Sequence, residues 1–160
     1  MTWMNDRIFT DKCLERAERK KGSIDIVDRF IWLWIAFNSW MKGKYGEDKP
    51  DKALICKVKA SQYIKDVFTD LRRHNSCFAK DLNKLEQYTV ANMRYINDES
   101  RNKRYDGTFE SLIETIYQIR CNLFHGRKNI ENKEERKLVN LAYRILLPLF
   151  KKYLNTYEYR

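Results

Sequence analysis

From about residue 24 onward, apolar side chains recur at three- and four-residue spacing, with almost no run of strict alternation. That is the period of α-helices and not of strands. A first long helix is predicted from Ile24 to Lys42, ended by Gly43. Its stripe Val27, Ile31, Trp34, Asn38, Met41 is joined by Phe30, Leu33, Phe37 and Trp40 on other faces. A helix apolar nearly all round is either central or shared with a partner. A second helix is expected to begin near Pro50, a residue suited to a first turn, and to carry Leu54, Val58, Ile64, Val67 or Phe68, and Leu71. A third carries Phe78, Leu82, Leu85, Thr89, Met93 and Ile96, before a polar loop from Asn97 to Gly107. Thr108 can cap a fourth helix with the stripe Phe109, Leu112 or Ile113, Ile116, Ile119, Leu123, and Gly126 is placed as its left-handed C-terminal residue. Asn132 with Glu135 resembles a capping box opening a last helix, in which Pro148 should introduce a kink. A short helix near Asp11 to Lys20 completes an all-α, up-and-down bundle of about five or six helices.

Composition fits one domain over residues 1–160, long enough to bury a core without staples. With 5 Gly and 2 Pro, neither clustered, no interdomain linker is visible. The richest apolar run, Phe30 to Phe37, stops at Asn38, short of the ~18 residues a membrane span needs. The N-terminus lacks a secretory apolar segment, so a soluble, cytoplasmic protein with no membrane partner is expected. Cys13, Cys56, Cys77 and Cys121 form no Cys-x2-Cys pair, and there are only 2 His. Reduced thiols, no protein-bound metal and no cofactor are the expectation.

The balance of 32 basic against 22 acidic residues gives a net charge of +10. Two stretches concentrate it: Arg94-Tyr95 through Arg101, Lys103, Arg104 and Tyr105, and Arg120 through Arg127 and Lys128. Basic groups neutralise phosphates and release counterions, and interleaved aromatics can stack unpaired bases. The same runs also suit an ordinary solvated surface, and Tyr95 and Tyr105 also suit packing.

At the end of the fourth helix stands Arg120-Cys121-Asn122-Leu123-Phe124-His125. A fixed guanidinium clamps phosphate, and imidazole trades protons near neutral pH. Ile113, Ile116, Tyr117 and Phe124 place Arg120 at or inside the apolar face, where a charge requires a partner. A salt bridge to a carboxylate on a neighbouring helix is one reading, and a phosphate ligand the other. Five residues along a straight helix turn about 140° and rise about 7.5 Å, so the two side chains do not meet. They converge on one phosphate if the last turn opens, or if two copies of the motif face each other and supply an acid and a base. Asn38 either bonds backbone or positions Arg120 or His125. His74 reads as a solvated helix end, and Cys121 as a poor candidate nucleophile.

The setting Ile-Arg-Cys-Asn-Leu-Phe-His-Gly at residues 119–126, with Trp34-Ile35-Ala36-Phe37-Asn38-Ser39-Trp40 on the first long helix, resembles the HEPN superfamily (higher eukaryotes and prokaryotes nucleotide-binding). The resemblance extends from about Ile24 to Tyr153 as helix order plus these two motifs. It implies a helical bundle that dimerises through the motif helices. It also implies a metal-independent endoribonuclease of toxin–antitoxin or antiviral defence type, with RNA as substrate and an antitoxin or defence-complex protein as possible partner. Carried over, Arg120 would bind the scissile phosphate and His125 would act as general base or acid, with Asn122, Cys121 and Asn38 in support. Members commonly carry a polar residue, often Asn, directly after the Arg; here it is Cys121, with Asn122 next. Some members keep the fold only to bind nucleotides, RNA or proteins, which is the alternative function.

Overall fold

In the computed structural model the residues described are 2–19, 24–125 and 131–159, and they contain seven α-helices. These are α1 (Thr2–Glu18), α2 (Ile26–Tyr45), α3 (Asp51–Ala60), α4 (Gln62–His74), α5 (Ser76–Leu85), α6 (Phe109–Phe124) and α7 (Lys133–Tyr153). The all-α bundle is as the periodicity predicts, with more helices than expected.

The additional helix comes from a break at Ser61. This residue closes α3 with an extended backbone, and its hydroxyl then accepts from the Ile64 amide to start α4. Gly43 does not end α2. A Cβ there would stand 3.4 Å from the Asp6 carboxylate, so the glycine admits the close approach of α1 and the helix runs on to Tyr45. Gly46, at φ 126°, is the residue that terminates it. The third predicted helix also ends early, at Leu85, and Thr89, Met93 and Ile96 lie outside it. Beyond Leu85 the side chains of Asn92 and Asp98 cap two short 3-10 turns, Met93–Tyr95 and Glu99–Arg101. These local bonds redirect the chain in spite of its apolar spacing. Helix α1 is longer than the segment near Asp11 to Lys20. Thr108 and Asn132 cap α6 and α7 as expected, and α7 continues as helix through Pro148. Gly126 lies outside the described residues.

Helix α2 is central: α1, α3 and α7 pack around it, and Phe30, Leu33, Trp34, Phe37, Trp40 and Met41 are buried. Its apolar girth is thus largely explained within one chain. Around it, Phe37 meets Phe150 edge-on with centroids 5.2 Å apart, and Trp40 meets Tyr153 at 5.1 Å. Helix α7 gathers α4, α5 and α6 on its other sides.

Among the described residues, one charged side chain is buried in this core. The Asp81 side chain, 4% exposed, accepts from Arg144 Nε at 2.9 Å, and its other oxygen has no hydrogen-bond partner. Replacing Arg144 with Met is expected to destabilise the fold by about 2–3 kcal/mol. That is less than breaking a fully buried pair costs, because Arg144 is half-exposed. Urea midpoints measure the loss, and adding Asp81→Leu to Arg144→Met should restore most of it.

Candidate nucleic-acid site at the end of helix α6

Thr108 accepts from the Ser111 amide at 3.2 Å and fixes the start of α6. Asp106 braces the same turn, and the Ser111 and Thr108 hydroxyls hold its carboxyl down at about 2. From that start, Phe109, Leu112, Ile113, Ile116 and Ile119 face the core. The opposite side presents Tyr117, Arg120 and Cys121, partly buried, and then the exposed His125.

Arg120 is held from three directions. Its Nη2 lies 3.0 Å from Asp51 Oδ2, at the first residue of α3. Its guanidinium carbon is 4.9 Å from the centroid of Phe124 and 5.5 Å from that of Trp34. Asn38 Nδ2 donates to the other Asp51 oxygen at 3.0 Å. Asn38 is half-buried and bonds this carboxylate instead of backbone, so it is linked to Arg120 through Asp51. Nη1 reaches only the Cys121 sulfur at 4.0 Å, and Nε is buried without a partner. A fork anchored at one nitrogen, with its other donors weakly engaged, can still take an anion.

The last turn does not open at His125. Its amide donates to the Cys121 carbonyl at 3.1 Å, so the helical pattern persists to the motif's final residue. Arg120 and His125 nevertheless line one groove of about 510 Å³ between α3, α6 and the 92–103 segment. Tyr117 and Cys121 form part of its floor. Burial, and then the adjacent Cys121 thiol, push the Tyr117 phenol up to about 12, so it keeps its proton near neutral pH and does not compete as a base.

Asn122 serves a different purpose from the one its position in the motif suggests. Only 3% exposed, it donates to the Ala91 carbonyl at 2.7 Å, and its oxygen accepts from the Met93 amide at 3.1 Å and Gln118 Nε2 at 2.9 Å. It ties the 91–93 backbone to α6 and makes no bond to Arg120. An antiparallel bridge between Val90 and Lys103 closes the base of the same segment.

The basic residues separate accordingly. Arg101 and Lys103 line the groove; Arg104 instead donates to the Glu86 carbonyl. Tyr105 is corrected from a base platform to a core residue: it is 3% exposed, and burial raises its phenol. Arg127 and Lys128 lie outside the described residues. His74 sits exposed at the end of α4, 3.1 Å from Asp70, as a solvated helix end should. Asp51, Lys52 and Lys59 are additions from α3. An acid in a first turn and lysines on a helix are ordinary, so no sequence signal marked them.

Among the described residues, no group of three or more His, Cys, Asp or Glu could hold a metal ion, and no helix is long and apolar enough to cross a membrane. No protein-family model, curated protein or solved structure matches the chain.

Proposed function

We propose that the protein is a metal-independent endoribonuclease of the HEPN type, acting in a toxin–antitoxin or antiviral defence setting. The observation that carries this reading is the shared groove: a guanidinium pinned by Asp51 and a solvent-accessible imidazole line one cationic cleft. In the proposed reaction a 2′-hydroxyl loses its proton to a histidine and its oxygen bonds to phosphorus. The bond from phosphorus to the 5′-oxygen breaks, and that oxygen takes a proton. A 2′,3′-cyclic phosphate and a 5′-hydroxyl remain. Arg120 stabilises the charge that builds on the phosphorane oxygens.

One chain supplies one His125, and the reaction needs a base and an acid, so the site is completed by a second copy. The surface beside Arg120 supports this. A second groove, of about 500 Å³, has Arg120 on its wall and is flanked by Phe9 and Phe124, both large apolar residues left exposed. A binding module without catalysis is the second reading, favoured by the Asp51 ion pair, which already occupies one edge of the Arg120 fork.

The test is incubation of purified protein with labelled single-stranded and structured RNA in excess EDTA. Cleavage leaving cyclic-phosphate ends is the expected outcome. Salt-sensitive binding by a well-folded dimer, with no RNA cut, would establish the module in its place.

A further inference from the structure

We infer that the groove between α3 and the 92–103 segment is a track for single-stranded RNA, with one unpaired base stacked on Tyr95 and Arg101. This deepens the endoribonuclease reading and rests on it for the fate of the strand, while the track itself is testable by binding alone.

Charge selects a polyanion. Among the described residues, six cationic side chains line the groove (Lys52, Lys59, Arg94, Arg101, Lys103, Arg120) against one carboxylate on its wall, Glu114, with Asp51 and Asp98 paired to Arg120 and Arg101 from behind. Glu114 is itself neutralised from both sides, by Lys59 at 2.6 Å and Lys103 at 3.3 Å. Those two bonds also tie α3 and the base of the 92–103 segment to α6 and set the width between them. Among the described residues neither Lys52 nor Arg94 has a carboxylate partner, so both remain available to phosphates. Phosphate contacts of this kind hold a strand without reading its sequence.

The aromatic component selects an unpaired strand. Tyr95 is 42% exposed on the groove wall, and the Arg101 guanidinium carbon lies 4.0 Å from its ring centroid. Arg101 is held there by Asp98, 3.0 Å from its Nε, and Asp98 also caps the 3-10 turn that carries Arg101. Met93–Tyr95 is likewise a capped turn, and Asn122 anchors the amide of its first residue. The platform is therefore built before any ligand arrives. In a duplex the base faces are occupied by their own neighbours, so only a single strand or an open loop can use such a surface.

Binding is measured by fluorescence anisotropy in EDTA, using the His125→Ala protein so that the RNA stays intact. Probes are a labelled RNA single strand and the duplex of the same sequence, across a salt series. The single strand is expected to bind at least about tenfold tighter than the duplex. Tyr95→Ala should raise its Kd about tenfold, and Tyr95→Phe should leave it within about twofold, because stacking needs the ring and not the hydroxyl. Lys52→Gln should flatten the salt dependence by about 0.7 in log–log slope. Duplex binding as tight as single-strand binding, indifference to Tyr95→Ala, or equal competition by poly-glutamate would each overturn the track. Tyr95-dependent binding with no cleavage by the unmutated protein would sink the nuclease and spare the track. Cleavage that ignores Tyr95 would do the reverse.

Discussion

His125→Ala is expected to lower the rate of RNA cleavage by about 10²–10⁴-fold, the range for removing a positioned acid or base, with no loss of stability. The side chain is exposed, and the residue's contribution to the helix end is its backbone amide, bonded to the Cys121 carbonyl, which alanine retains. Melting temperature should therefore match the unmutated protein, and a fall in rate at unchanged RNA affinity can be assigned to the imidazole. Arg120→Ala is a less clean probe. It removes the cation facing Asp51 and the group packed against Trp34 and Phe124. Arg120→Lys keeps a charge for Asp51 but loses the planar fork, so it should fold and cleave poorly. Cleavage by His125→Ala at the unmutated rate would end the HEPN-type mechanism proposed for His125, whatever Arg120 variants did.

How far the sequence leads here depends on how far apart the interacting residues lie. The caps at Thr108 and Asn132 are bonds within three residues, and both are readable from the local string. The core stripes of α2 and α6 are readable because burial imposes the helical period. The apolar spacing through Thr89, Met93 and Ile96 misleads because spacing alone does not register Asn92 and Asp98, whose side chains bond backbone and start new turns. Tyr95 and Tyr105 occupy similar basic surroundings in sequence, yet one is exposed and the other buried, and only the tertiary path separates them. Asp51 is the clearest case. Its partners Asn38 and Arg120 come from two other helices, and its own neighbours give it the look of a routine first-turn acid.

Asn122→Ala is expected to cost about 2–3 kcal/mol of stability and to weaken single-strand binding. The substitution removes three hydrogen bonds at a site with little access to water: the Ala91 carbonyl loses its donor, and Gln118 and the Met93 amide lose the oxygen they share. Bonds of this kind contribute about 1 kcal/mol each, and more where a group is left buried without a partner. The urea midpoint reports the total. Where the loss falls is the more informative result, because Asn122 joins α6 to the 91–93 backbone and hence to Tyr95. Amide exchange should accelerate across 91–103 while the core amides of α2 and α7 change only by the global amount. At temperatures where the variant is fully folded, its Kd for an RNA single strand should rise about as far as that of Tyr95→Ala. If binding weakened no further than stability predicts, with exchange unchanged in the loop, Asn122 would be a core residue that happens to lie inside the motif. If the loop loosens and cleavage falls with binding, Asn122 would link the two: one helix would then carry the proposed catalytic pair on its surface and hold the strand platform with a buried amide between them.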